Sequence, residues 1–264
     1  MHHKRFTRHE IGDIPKMNHS MKSDSELDAP LVLPPGTKVL ACRVFQPELT
    51  LLGLTEPQII YLDQGLHIHI DSLRNKISES LAQIEEDPGV SQIVLAYGYC
   101  GGGLEGLTAQ RASLVVPLVH DCIPLLKGGP VDPPDGRMQH SFYLSAGWVD
   151  HGRTPLVEYL EYAEKLGEED SLWVAKEMLK GYNSVTLIEH PDITRPEHRS
   201  HALEISQLLD LEYRRTSCDL GWLKRLLSAQ PSDEVLILPP GHRIELKMFL
   251  GLGQSAQVAD QIKK

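Results

Sequence analysis

Four cysteines are too few for a disulfide framework in a chain of 264 residues, so each must be read as a thiol, a thiolate or a metal ligand. Cys100 sits in Tyr97-Gly98-Tyr99-Cys100-Gly101-Gly102-Gly103-Leu104, and Cys122 in His120-Asp121-Cys122-Ile123. Sulfur beside imidazole supports two chemistries. One is a metal centre with Cys42, Cys100, His120 and Cys122 as ligands. It would hold zinc or an iron–sulfur cluster. The other is a base and thiolate pair, with Cys100 or Cys122 as nucleophile and His120 as base. Three glycines in a row allow a ligand to approach the backbone closely, so Gly101, Gly102 and Gly103 are expected to offer N–H groups to an anionic part of a substrate. The bland reading of that run is a tight strand-to-helix turn. GGGLEG satisfies GxGxxG, but it follows a third strand and lacks the acidic partner of a dinucleotide fingerprint; the phosphate-loop pattern is absent.

Other residues are weaker candidates. Arg111, Arg43 and Arg243 can hold a carboxylate or phosphate, or make surface ion pairs. Trp148, after Gly147, can wall a pocket. His67 and His69 alternate, so in a strand they share a face and can chelate; a solvated edge is the commoner meaning. Glu48 can cap a helix or act as an acid or base. Cys42 lies in an apolar run, where core packing competes with ligation, and Cys218 is read as incidental. Asp121 suits a helix N-cap, which would put Cys122 in a first turn where the dipole lowers a thiol pKa.

These side chains need a scaffold that gathers them. Apolar runs at 38–45, 58–62, 91–97, 113–119, 141–145, 184–188, 211–215 and 234–238 read as strands. Segments with helical spacing lie between them, among them Leu73, Ile77, Leu81 and Ile84. Alternation of this kind predicts an α/β fold with a mainly parallel, doubly wound (Rossmann-like) sheet and helices on both faces. Ligands of such sheets sit beyond the carboxyl ends of the strands. Cys42, Cys100, His120, Cys122 and Trp148 all fall just there. Residues 1–36 read as a disordered leader, 37–250 as a single α/β domain with room for a division into two lobes near 128–150, and 251–264 as a flexible tail. The Gly- and Pro-rich 128–139 reads as a surface loop.

The segments taken together resemble one family, the domain of unknown function 1638. The matching blocks are Cys42-Arg43-Val44-Phe45-Gln46-Pro47-Glu48-Leu49, Tyr97 to Leu104 with Gly106-Leu107, and Leu114-Val115-Val116-Pro117. Further blocks are His120-Asp121-Cys122-Ile123 with Leu125-Leu126 and Gly128, Tyr143-Leu144 with Gly147-Trp148, and Pro239-Pro240-Gly241-His242. The resemblance spans about residues 38–245 and implies association with corrinoid-dependent methyl-transfer systems. The Pro-rich loop after Gly128 departs from it.

The balance of 26 Lys and Arg against 36 Asp and Glu gives a formal charge of −10, which argues against a nucleic-acid partner. No stretch of about 18 apolar residues is present to cross a membrane, and no apolar signal core follows the polar start. The expectation is therefore a cytoplasmic, metal- or thiolate-dependent enzyme acting on a small molecule, with one-carbon (methyl) transfer as its reaction class. The alternative is a non-catalytic accessory protein that binds a corrinoid or metal cofactor. The expected partners are a small substrate and a corrinoid protein or methyltransferase.

Overall fold

The structure is a computed structural model and describes residues 31–129 and 140–249. The expected leader up to residue 30, most of the Pro-rich loop and the expected tail lie outside the described residues.

Among the described residues, eight strands and eight α-helices follow one another: β1 (Thr37–Cys42), α1 (Gln46–Leu51), β2 (Ile59–Leu62), α2 (Ile70–Ile84), β3 (Gln92–Ala96), β4 (Ser113–Pro117), α3 (Ile123–Lys127), β5 (Ser141–Leu144), α4 (Ala146–His151), α5 (Pro155–Leu166), α6 (Glu168–Met178), β6 (Ser184–Glu189), α7 (Pro196–Leu209), β7 (Glu212–Ser217), α8 (Gly221–Leu227) and β8 (Val235–Leu238). The α/β expectation holds, with a difference in the sheet. The strands form two sheets, one of five strands in the order β2-β1-β3-β4-β8 and one of three in the order β5-β6-β7. All pairs are parallel except β4 with β8.

β1, β3 and β4 are apolar and almost continuously buried, as strands covered on both faces must be. α2 lays its stripe of Leu73, Ile77, Leu81 and Ile84 into the core and packs on β1, while α8 packs on β3 and β4. The second sheet has a smaller core around Val185, Leu187, Ala202 and Ile205. Its outer strand β7 is mostly polar, and none of its residues is fully buried.

The chain leaves the first sheet after α3, builds the second sheet, and returns through α8 and β8. The two sheets are locked together by a backbone contact. A Cβ on Gly147 in α4 would lie 1.9 Å from the carbonyl oxygen of Val44, so only glycine lets α4 seat on the turn that follows β1. Trp148, the next residue, packs against both cores.

Candidate metal centre

Three strand exits of the first sheet converge. After β2, Asp63 caps a short 3₁₀ turn by accepting the N–H of Gly65, and the turn runs Gln64–Ile68. This turn carries His67. The run around His67 and His69 is therefore helical, and the two histidines part company: His67 points inward, and His69 is exposed. A post-strand Asp was the signal for a capped turn there.

After β3 the chain turns sharply. Cys100 adopts φ +49, a left-handed conformation that costs a non-glycine residue about 1–2 kcal/mol. Its N–H donates to the His120 carbonyl. This bond ties the β3 exit to the β4 exit, and the closeness of the two backbones depends on Gly98, where a Cβ would lie 2.3–2.5 Å from the backbone of Asp121.

The result is a compact donor set. The ligand atoms of His67, Cys100 and Cys122 lie within 4.8 Å of one another. His67 Nε2 is 3.3 Å from Cys100 Sγ, and Cys100 Sγ is 3.9 Å from Cys122 Sγ. Ligands on a tetrahedral zinc ion would stand about 3.5 Å apart for N···S and about 3.8 Å for S···S. His67 is also oriented for ligation. Its Nδ1 lies 2.9 Å from the carbonyl oxygen of Gln64. A carbonyl only accepts, so Nδ1 carries the proton and Nε2 presents its lone pair to the sulfurs. Gln64 is held in turn, because its side-chain oxygen accepts the N–H of Arg153.

Charge in the cluster is unequal. The S–H of Cys100, against the opposing effect of burial, together with His67 and the Gly98 N–H, draws the Cys122 thiol down to about 6. The same bond, with burial, pushes Cys100 well up. Of the two thiols, Cys122 is the more readily ionised. Burial works to lower His67, but the hydrogen bond and charge of Cys122 outweigh it and raise the imidazole. From the sequence, a helix dipole is the expected source of acidity at Cys122. The helix that follows has only five residues, and the sulfur and imidazole neighbours do the work. Asp121 does bond the first turn, accepting the N–H of Ile123.

Above the cluster opens a cavity of about 770 Å³. Its floor comes from the first sheet: Cys42, Gln64, His67, Cys100, Gly101 and Cys122. The facing wall comes from the second: Phe142, Tyr143, Trp148, Lys180 and Tyr182. Apart from Trp148, which follows β5, this wall lies toward the amino ends of β5 and β6, away from the strand exits.

Several expected site residues stand elsewhere. His120 is exposed and contributes its carbonyl, not its ring, so His67 takes the place assigned to it. Cys42 borders the cavity at 1 % exposure but is not among the three clustered ligands, and burial holds its thiol protonated. Of Gly101, Gly102 and Gly103, the first alone borders the cavity. The N–H groups of Gly102 and Gly103 close the turn onto Tyr99 and Cys100, and both residues pack against α2, near Arg74 and Leu73. Arg111 precedes β4, at the opposite end of the sheet, where Glu85 accepts its backbone N–H. Arg43 lies over the Tyr61 ring, and His242 and Arg243 are exposed. Cys218 follows β7, donating its N–H to Glu189. Trp148 is where a pocket wall was expected.

One residue was not foreseen. Tyr97 is fully buried and stacks on His67 at 6.2 Å and 22°. Its hydroxyl finds no hydrogen-bond partner among the described residues, and it is near enough to Cys42, Cys122 and Cys100 to feel their charge.

No curated protein and no solved structure matches the chain. A family model does, over residues 61–227. This stretch holds His67, Cys100, Cys122 and the whole aromatic wall, while the Cys42 block precedes it. By that match the chain belongs to the family described as protein of unknown function, DUF1638.

Proposed function

We propose that the chain is a metal-dependent enzyme acting on a small molecule, with zinc held by His67, Cys100 and Cys122. The convergence of these three ligand atoms on the floor of a cavity carries the reading. Three protein ligands beside an open space are the pattern of a catalytic zinc, which keeps a coordination position for substrate. An iron–sulfur cluster is served by four thiolates, and this group supplies two. Zinc here would act as a Lewis acid and keep a bound thiol ionised at neutral pH.

The chain's own residues have distinct tasks. Gln64 fixes the His67 tautomer, Gly98 holds the two cysteine loops together, and the aromatic wall excludes water. Methyl transfer is the reaction class that suits this arrangement. The sulfur of a substrate thiolate would form a bond to the methyl carbon as the bond from donor to carbon breaks, the donor leaving with that electron pair. A corrinoid carried by a partner protein is the donor the family resemblance suggests. A reducing compartment such as the cytoplasm suits the paired thiols, and no helix among the described residues is long and apolar enough to cross a membrane.

The test is metal analysis of anaerobically purified protein. One equivalent of metal is expected, lost in both Cys122→Ser and His67→Ala. Cobalt substitution should give thiolate-to-metal absorption that weakens in Cys100→Ser. Protein without stoichiometric metal, whose stability zinc leaves unchanged, overturns the reading.

The lowered pKa of Cys122 favours one second reading, a metal-free thiol enzyme with Cys122 as nucleophile and His67 as its acid or base. Loss of turnover on alkylating metal-free protein would select it. A coloured cofactor that co-purifies without turnover would assign the same cavity to an accessory role.

A further inference from the structure

The wall opposite the sulfurs has a composition of its own. Phe142 meets Trp148 at 6.1 Å and 72°, and Tyr182 at 5.9 Å and 87°. The three rings all border the cavity. Standing steeply to one another, they form walls and not a stack. Trp148 is anchored, since its indole N–H donates to the Arg153 carbonyl and its ring lies on Gly152. Tyr182 keeps 41 % of its surface open to solvent, so a large ring is spent on the mouth of the cavity and not on the core.

Aromatic rings gathered around one space attract a cation, which seats on whichever π-faces the rings turn to it, those faces being negative. The protein already uses this on the same wall: the Lys127 ammonium sits 5.4 Å over the Tyr143 ring. The chain as a whole carries a formal charge of −10, which favours the approach of a cation. Lys180 also borders the cavity, but it is largely exposed and its charge is paired with Glu177 at 3.2 Å. A primary ammonium would demand hydrogen-bond acceptors, which rings do not supply; a methylated ammonium demands none.

We infer that this cavity binds a small methylated ammonium cation, seated against Phe142, Trp148 and Tyr182. The inference adds a ligand class to the proposed enzyme and does not require the metal, because no ring is a ligand of it. The test is therefore run on chelator-treated full-length protein, with metal stoichiometry measured separately, so that failure of one reading is distinct from failure of the other. Choline is titrated by calorimetry against its uncharged isostere, in which carbon replaces the ammonium nitrogen. Choline should bind roughly tenfold more tightly than the isostere. Tyr182→Leu, at a solvent-facing position that folding tolerates, should weaken choline about fivefold or more and leave the isostere nearly unchanged. Phe142→Leu should do the same or more. Equal binding of the two probes, unchanged choline affinity in Tyr182→Leu, or no choline binding overturns the inference.

Discussion

Tyr97→Phe should stabilise the protein in the absence of zinc, and zinc should cancel that gain. Phe keeps the ring and its stacking on His67, so the substitution reads the hydroxyl alone. That hydroxyl is fully buried and unpaired among the described residues. Burying an unsatisfied polar group costs about 1–3 kcal/mol. In chelator-treated protein, Tyr97→Phe should therefore be the more stable form, by about 1–2 kcal/mol. With zinc present, a metal-held sulfur is the acceptor this hydroxyl is expected to gain, since it lies near enough to Cys42, Cys122 and Cys100 to feel their charge. A hydrogen bond to a charged acceptor is worth about 1.5–3 kcal/mol. The variant lacks it, so its gain in stability on adding zinc should fall short by on the order of 2 kcal/mol, about thirtyfold in zinc affinity. Urea denaturation of both proteins, with chelator and with zinc, measures the four stabilities. Competition with a chromophoric chelator measures the affinities directly. An identical change in both states, with unaltered zinc affinity, refutes the reasoning.

Gly98→Ala should drive the β3 and β4 exits apart, because the added carbon meets the Asp121 backbone, which has no rotamer to yield. Zinc affinity should drop roughly 10–100-fold while far-ultraviolet circular dichroism stays native; wild-type affinity would contradict this. Glu85 accepts the N–H groups of Gln110, Arg111 and Ala112, so Glu85→Ala leaves three donors in need and should cost about 3–5 kcal/mol in urea denaturation. These bonds, opposing the effect of burial, lower the Glu85 pKa. The stability they confer is present above the ordinary carboxylate range and disappears as pH falls through the depressed value, a loss Glu85→Ala should not show. Glu48 behaves in the opposite way. Burial raises it from an ordinary 4.5 to about 7, so the folded state holds a proton the unfolded state has released. Stability should decline between those two pH values by on the order of 3 kcal/mol, and Glu48→Gln should flatten the decline. An unchanged slope in Glu48→Gln would sink that assignment.

The strands were legible because each is an apolar run bounded by turn residues, and all eight appear close to their expected bounds. Their division into two sheets was not. Every parallel strand presents the same apolar pattern, and nothing local says which partner it will take. The cysteines were placed correctly at strand exits because the rule for parallel sheets depends only on chain direction. His120 and His67 exchanged roles for a geometric reason. His120 stands three residues beyond the end of β4, with its ring exposed and its carbonyl accepting the Cys100 N–H. His67 was hidden by an alternating pattern that imitates a strand, although Asp63 marks the turn that carries it. Phe142, Lys180 and Tyr182 enter strands instead of leaving them, so they join the cavity only through the docking of one sheet on the other.

The detour of the chain through the second sheet has a cost during synthesis. β4 reaches its final neighbour β8 only after 118 further residues, from Pro117 to Val235. At about 5–20 residues per second, the edge of Ser113–Pro117 waits roughly 6–24 seconds for its cover. For that interval an apolar strand with unpaired backbone groups stands at the margin of a nascent sheet, a template for another chain. Yield of the native protein should therefore depend on how promptly the last strand arrives, and a chain truncated before Val235 should aggregate even though it carries every proposed metal ligand.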